Sequence, residues 1–270
     1  SSDLGDLTGD GLDDIIAGSY DGGSAYNTVL ISNGNGTFSK NLFRPIMVRV
    51  PASALGDFNG DGRIDLVTAT DAQTGVVYFQ GNGNGTFKSG VTAASFSNQG
   101  LGITVGDYNA DGRLDIAATM ENGVGLDTVN VMIGNGDGTF FAPATYLAAS
   151  SGQARSIETA DVNGDGVSDF VVASENSGGG ISVLLGNANG TFSNGSMFYN
   201  NPVADVKPYD FNGDGKIDLA YQLSTSGDLL LSLGNGNGTF LAAKTYAGTA
   251  GIQPNSMMIG DINDDGNIDV

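Results

Sequence analysis

Nine residues recur six times at nearly constant intervals, and this recurrence constrains the fold more than any other feature of the chain. The first copy reads Asp6-Leu-Thr-Gly-Asp-Gly-Leu-Asp-Asp14. Later copies start at Asp57, Asp107, Asp161, Asp210 and Asp261, so successive starts lie 51, 50, 54, 49 and 51 residues apart. A second marker runs in phase with the first, as Gly34-Asn-Gly-Thr-Phe38, Gly83-Asn-Gly-Thr-Phe87, Gly136-Asp-Gly-Thr-Phe140, Ala188-Asn-Gly-Thr-Phe192 and Gly236-Asn-Gly-Thr-Phe240. A fixed period of this length makes each repeat one supersecondary unit that buries its apolar surface against its neighbours.

Between the markers lie runs of strand length, rich in aliphatic and β-branched residues: Asp65 to Thr70, Val76 to Gln80, Asp169 to Ser174, Ile181 to Leu185 and Leu229 to Leu233. None keeps a 3.6-residue period. Several are apolar at consecutive positions, as in Phe170-Val-Val-Ala173, so both faces of these strands need cover. Four candidate strands fit each repeat. One precedes the aspartate loop, as Ile103 to Gly106 does, one follows it, one ends at the glycine turn, and a less distinct one leads to the next unit. Four short strands in each repeated unit of about fifty residues define the blade of a β-propeller. The expected fold is all-β, a single propeller domain or segment over residues 1–270. It has five complete blades (1–51, 52–100, 101–154, 155–203 and 204–254) and the start of a sixth at 255–270. An open arc with apolar blade faces exposed at its ends is expected of five blades and a fraction.

With 270 residues and 40% hydrophobic content the chain can build a core. Its 44 glycines and 6 prolines call for many tight turns without the every-third-residue glycine of collagen. Cysteine and histidine are both absent, which excludes disulfides, thiol chemistry, histidine-ligated zinc and a Ser-His-Asp triad. A formal charge of −20 argues against nucleic acid as a partner, since phosphate backbones need a basic face. No apolar run approaches the roughly 18 to 20 residues that span a bilayer, so no direct membrane insertion is expected. The first residues carry neither an initiating Met nor a signal peptide, as expected of a mature or excised portion of a longer protein, whose remaining blades would then be partners of these.

The loops place oxygen-bearing side chains at positions 1, 3, 5 and 9, with glycine always at position 6. A hard cation such as calcium takes six to eight oxygens, and alternate residues of a tight loop turn their oxygens inward. By analogy with the EF-hand, the main-chain carbonyl at position 7 joins the set. The candidate ligands are therefore Asp6, Thr8, Asp10, Leu12 and Asp14; Asp57, Asn59, Asp61, Arg63 and Asp65; and Asp107, Asn109, Asp111, Arg113 and Asp115. The later loops supply Asp161, Asn163, Asp165, Val167 and Asp169; Asp210, Asn212, Asp214, Lys216 and Asp218; and Asp261, Asn263, Asp265, Asn267 and Asp269. Asn-Gly and Asp-Gly pairs also make ordinary turns. Six in-register copies, each packing three ligand aspartates into nine residues, would repel themselves without a cation. All-oxygen ligation favours Ca2+ over magnesium or a transition ion, about one per loop and up to six. Loop one is the most degenerate, with Thr8 at position 3. Six divalent ions would bring the net charge to about −8, an ordinary value for a soluble domain.

On these loops and this period the chain resembles the FG-GAP and VCBS repeats, whose best-known members are the integrin α-subunit propellers. The Gly-Asn-Gly-Thr-Phe turns are closer to the bacterial VCBS type, and the literal Phe-Gly and Gly-Ala-Pro signatures are not reproduced. The resemblance implies that the nine-residue loop joins the first two strands of a blade and binds calcium, with Asp57, Asn59, Asp61 and Asp65 and their counterparts as ligands. It also implies a seven-bladed ring and an extracellular, secreted or cell-surface location. Integrin ligand recognition does not carry over, because nothing outside the calcium loops matches residue by residue.

Three functions fit such a chain. The first is a non-catalytic module binding a glycan or protein through its loops, in adhesion or as a lectin. Tyr20, Tyr26, Tyr108, Tyr146, Phe198, Tyr199, Tyr209 and Tyr246 are the candidate aromatic contacts, set against a role in blade packing. The second is a calcium-stiffened scaffold within a larger surface protein. The third is a polysaccharide-degrading enzyme, for which the candidate acids outside the loops are the three glutamates Glu121, Glu158 and Glu175 and the scattered Asp21, Asp71, Asp127, Asp205 and Asp228. A glycosidase needs two carboxyls facing one bond, and no spacing here establishes such a pair. The Asn-x-Thr/Ser patterns at Asn35, Asn84, Asn189, Asn194 and Asn237 recur in phase at a turn, which points to backbone geometry and away from glycosylation.

Overall fold

A computed structural model describes residues 2–20, 25–43, 52–70, 75–96, 99–120, 127–148, 150–246, 248, 256–263 and 265–270, with backbone alone at 19, 20, 25, 26, 42 and 43. The described residues hold twenty strands and no α-helix. In chain order these are β1 (Ser2–Gly5), β2 (Asp14–Tyr20), β3 (Ala25–Ser32) and β4 (Phe38–Phe43), then β5 (Ala52–Gly56), β6 (Asp65–Ala69), β7 (Val76–Phe79) and β8 (Val91–Ala94). They continue as β9 (Gly100–Gly106), β10 (Asp115–Met120), β11 (Thr128–Met132) and β12 (Ala144–Leu147), then β13 (Gln153–Ala160), β14 (Asp169–Glu175), β15 (Gly180–Leu184) and β16 (Ser196–Tyr199). The last are β17 (Val203–Tyr209), β18 (Asp218–Leu223), β19 (Leu229–Ser232) and β20 (Lys244–Tyr246). Each consecutive set of four forms one sheet in sequence order, an antiparallel meander, as in a propeller-like fold. The strand expected from Asp65 ends at Ala69, and that expected from Val76 ends at Phe79, each one residue early.

By its internal contacts the chain divides into two compact units, Ser1–Met120 with Asn130–Thr145, and Glu121–Val129 with Tyr146–Val270. In the first unit, the alternation of side chains along a strand explains why consecutive apolar residues are needed. Leu66 on β6 pairs with Phe79 on β7, and both join Leu7 of loop one and Ile16 and Val29 of the first sheet in one core cluster. Their neighbours Val67 and Tyr78, also paired, turn the other way and pack with Ile116, Ala118 and Met132 of the third sheet. Each such fully buried side chain contributes about 1.5–3 kcal/mol. Fourth strands lie at the rim: β12 and β20 are largely exposed, which is why their sequences carry little pattern.

The second unit repeats the scheme. Val171 and Ala173 of β14 pack with Val206, Leu219 and Tyr221 of the following sheet, while Phe170 on the opposite face stacks on Phe192 at 4.2 Å between ring centroids.

The second marker closes the third and fourth strands of a sheet. In each copy the first Asn of the turn donates its amide to the carbonyl four residues on, as Asn82 does to Thr86 at 2.9 Å. The Thr hydroxyl donates to the Asn or Asp two residues before it, at 2.6 Å in all five turns. Asn35, Asn84, Asn189 and Asn237 thus have a local task in the turn, and Asn194 accepts the Leu147 amide at 3.0 Å.

Candidate metal centre

Each of the first five nine-residue loops leaves a first strand and enters a second, and the sixth is closed by a bridge between Gly260 and Asp269. In the first five the ninth residue is the first of β2, β6, β10, β14 or β18. Inside the loop the carboxylates gather backbone amides. Oδ2 of the position-1 aspartate accepts the position-6 glycine amide at 2.8 Å in all six loops. Its Oδ1 accepts the position-5 amide at 3.0–3.1 Å. The position-5 carboxylate in turn accepts the position-7 amide at 2.8–3.0 Å. Such charge-assisted bonds hold a carboxylate in its ionised form. Position-6 glycines make this winding at φ near +80°, from +79° at Gly62 to +84° at Gly266.

Position 9 behaves differently. Asp14, Asp65, Asp115, Asp169 and Asp218 are fully buried. In all six loops Oδ2 of this residue accepts the amide of position 2 at 2.8–3.2 Å. In the five buried cases Oδ1 accepts an amide at the end of the third strand at 2.7–2.8 Å, from Ser32, Gly81, Gly134, Gly186 or Gly234. The carboxyl therefore staples its loop to the sheet, a task the spacing alone did not reveal.

Loop five shows the electrostatic contrast. Backbone amides, that of Gly215 foremost, hold Asp210 below the usual carboxylate range. Burial pushes Asp218 up, and repulsion from Asp214 and Asp210 adds to it. In loop four, burial and the charges of Asp165 and Asp161 push Asp169 to about 6. The three aspartates of a loop thus lie within electrostatic reach of each other, an arrangement that a cation relieves.

Among the described residues, no three carboxyl groups already converge on one point as a ligand set. The donor chemistry still fits calcium, since side-chain oxygens at positions 1, 3, 5 and 9 and a carbonyl at position 7 offer oxygen alone. Thr8 Oγ1, at position 3 of loop one, is shut off from solvent with no hydrogen-bond partner among the described residues. An orphaned oxygen there suits a cation.

Tyr78 was not among the sequence candidates. Its hydroxyl donates to Asp65 Oδ2 at 2.9 Å and accepts from Asn59 Nδ2 at 3.2 Å, which joins β7 to the second loop. The one available signal was a polar-tipped residue in an otherwise aliphatic strand column. Gln80 adds a side-chain donor to Asp61 Oδ2 at 2.9 Å.

The proposed aromatic contacts divide. Tyr108 is buried, Tyr146 packs on Phe192, and Phe198 and Tyr199 pack on Tyr221. Tyr209 and Tyr246 are 41% and 42% exposed, which leaves them the accessible pair. The side chains of Tyr20 and Tyr26 lie outside the described residues, as do Glu121, Asp21 and Asp71. The other five candidate acids are engaged. Asp127 is buried against the Ser174 hydroxyl at 3.0 Å, Glu175 pairs with Arg155 at 3.1 Å, and Asp228 accepts the Gly248 amide at 3.0 Å. Glu158 and Asp205 share Lys207, whose Nζ contacts Glu158 directly and lies 3.6 Å from Asp205.

A run of four-stranded meanders, each carrying an aspartate loop between its first two strands, defines a class of blade-repeat proteins. The chain belongs to the FG-GAP-like repeat family, which matches residues 57–118, 122–172 and 210–270. Comparison with curated protein sequences finds no match. Among solved structures, a lectin of Agrocybe aegerita that recognises non-reducing terminal N-acetylglucosamine is similar, with a TM-score of 0.59 and 23% identity over 90% of this chain and 65% of that one. The V. cholerae biofilm matrix protein Bap1 is similar at a TM-score of 0.51 and 20% identity, over 92% of this chain and 40% of that one. The Hadza microbial sialidase Hz136 is similar at a TM-score of 0.51 and 12% identity, over 88% of this chain and 56% of that one. The chain spans less than two thirds of each, and at these identities the likeness is one of fold.

Proposed function

We propose that this chain is a calcium-binding, extracellular propeller module that binds glycan and does not catalyse a reaction. The observation that carries it is the sixfold repetition of one oxygen-rich loop, amide-wound in the same way each time. The cation would be held by the oxygens of positions 1, 3 and 5 and the position-7 carbonyl, joined by the carboxyl of position 9. Bound there, it neutralises the loop's clustered charge and stiffens the connection between the first two strands. The chain's own amides hold these carboxylates within the loop, and an ion would have to draw them together.

Glycan as the ligand class draws support from the similar lectin fold and from exposed Tyr209 and Tyr246, because aromatic faces suit the apolar faces of sugars. A non-catalytic role draws support from Glu158, Glu175, Asp127, Asp205 and Asp228, each taken up by a partner within the fold. Glycan-array binding in calcium tests the reading. Retention of specific glycans, reduced by Tyr209→Ala or Tyr246→Ala, supports it; an array without signal at high protein concentration counts against it.

A further inference from the structure

In loops one, two and four the residue at position 2 belongs to two hydrogen-bonded systems at once. In loop two, the Phe58 amide donates to Asp65 Oδ2 at 3.2 Å, while its carbonyl accepts the amide of Gly138 at 3.1 Å. Gly138 is the third residue of the glycine turn in the following sheet. Val162 of loop four repeats this, donating to Asp169 at 2.9 Å and accepting from Gly238 at 3.0 Å. So does Leu7 of loop one, with Asp14 at 3.0 Å and Gly85 at 3.1 Å.

The turn also lies close to the loop, with little room between them. A Cβ on Gly60, at position 4 of loop two, would come 3.7 Å from the Gly136 carbonyl, and one on Gly164 of loop four would stand equally close to that of Gly236. A Cβ on Gly138 would lie 2.9 Å from the hydroxyl and ring of Tyr78, the side chain that holds Asp65 and Asn59. One on Gly238 would meet Leu185 at 3.1 Å and Asn163 of loop four at 3.9 Å.

We infer that the glycine turn of the following sheet is a working part of calcium loops one, two and four, so that cation affinity at loops two and four is set jointly by two sheets. Gly138 and Gly238 are positioning residues for loops in the sheets before them. Linkage makes the coupling reciprocal: an occupied loop tightens the joint, and a weakened joint lowers the loop's affinity. The inference rests on the calcium reading above and adds to it the turn of the neighbouring sheet.

The test is a calcium titration of the full chain followed by NMR at the amides of Gly62 in loop two and Gly166 in loop four, each of which donates to its loop's first aspartate. Gly138→Ala is expected to weaken binding at Gly62 by roughly fivefold or more and to leave Gly166 unchanged; Gly238→Ala is expected to do the reverse. Gly36→Ala is the control. It introduces the same strain at φ +81°, but its Cβ would meet nothing within 4 Å, so both midpoints should hold. Calcium-free melting of each variant shows that it folds. Midpoints that move no more in Gly138→Ala and Gly238→Ala than in Gly36→Ala overturn the coupling, as do shifts of equal size at both reporters. An unaltered chain in which neither amide responds to calcium removes the calcium reading itself, and that result is distinct from a loop that binds but ignores its neighbour.

Discussion

The amide of Gly81 donates to Asp65 Oδ1 at 2.7 Å, which ties the end of a sheet's third strand to the last residue of its aspartate loop. The other oxygen of Asp65 accepts from Phe58 and Tyr78. Removal of this carboxyl strands buried donors whether or not a cation is present. Asp65→Ala should therefore cost about 2–4 kcal/mol both with calcium and with chelator. Asp61→Ala, which alters an exposed carboxylate, should lower stability in calcium and change little in chelator. Paired denaturation curves separate the two.

That contrast also marks how far the sequence could be read. The period and the nine-residue motif place the first five loops between a first and second strand, and consecutive apolar residues such as Phe170 to Ala173 announce strands covered on both faces. Spacing does not say which way a carboxyl turns, so Asp65 and Asp61 looked alike. The pair Glu158 and Lys207 was hidden for another reason. Each stands three residues before its own loop, on adjacent first strands, and only superposition of the repeats brings these two positions together.

Lys207 faces Glu158 and Asp205 from β17, and Asp205 also accepts the Ser156 hydroxyl at 2.7 Å and the Met257 amide at 2.8 Å. Lys207→Met leaves two carboxylates without their cation and should cost about 1–3 kcal/mol. Glu158→Gln in the same background should recover part of that loss. A double-mutant cycle by urea denaturation measures the coupling.

Ala110 occupies position 4 of loop three with φ of 59°, where four other loops carry glycine at φ from 70° to 77°. A Cβ in the left-handed region costs about 1 kcal/mol. Ala110→Gly should raise stability by about that amount in spite of the added freedom of the unfolded chain. Thermal melting in chelator reads it without interference from the cation.

Burial and its loop neighbours push Asp169 to about 6, above its ordinary value of 3.8. The fold thus holds this proton more tightly than the unfolded chain does. The stability it confers is complete below the unfolded value and is lost as pH rises through about 6. In chelator, the melting temperature should fall by about 3 °C or more between pH 5 and pH 7. Saturating calcium should remove that decline, because a cation favours the ionised loop.

The most direct measurement is the melting temperature of the full chain at low salt, with calcium and with excess chelator. Six occupied loops add stability to the folded state alone, and the account predicts that chelator lowers the melting temperature by about 10 °C or more, reversibly on return of calcium and not of magnesium. Coincident melting curves in calcium and chelator would contradict it.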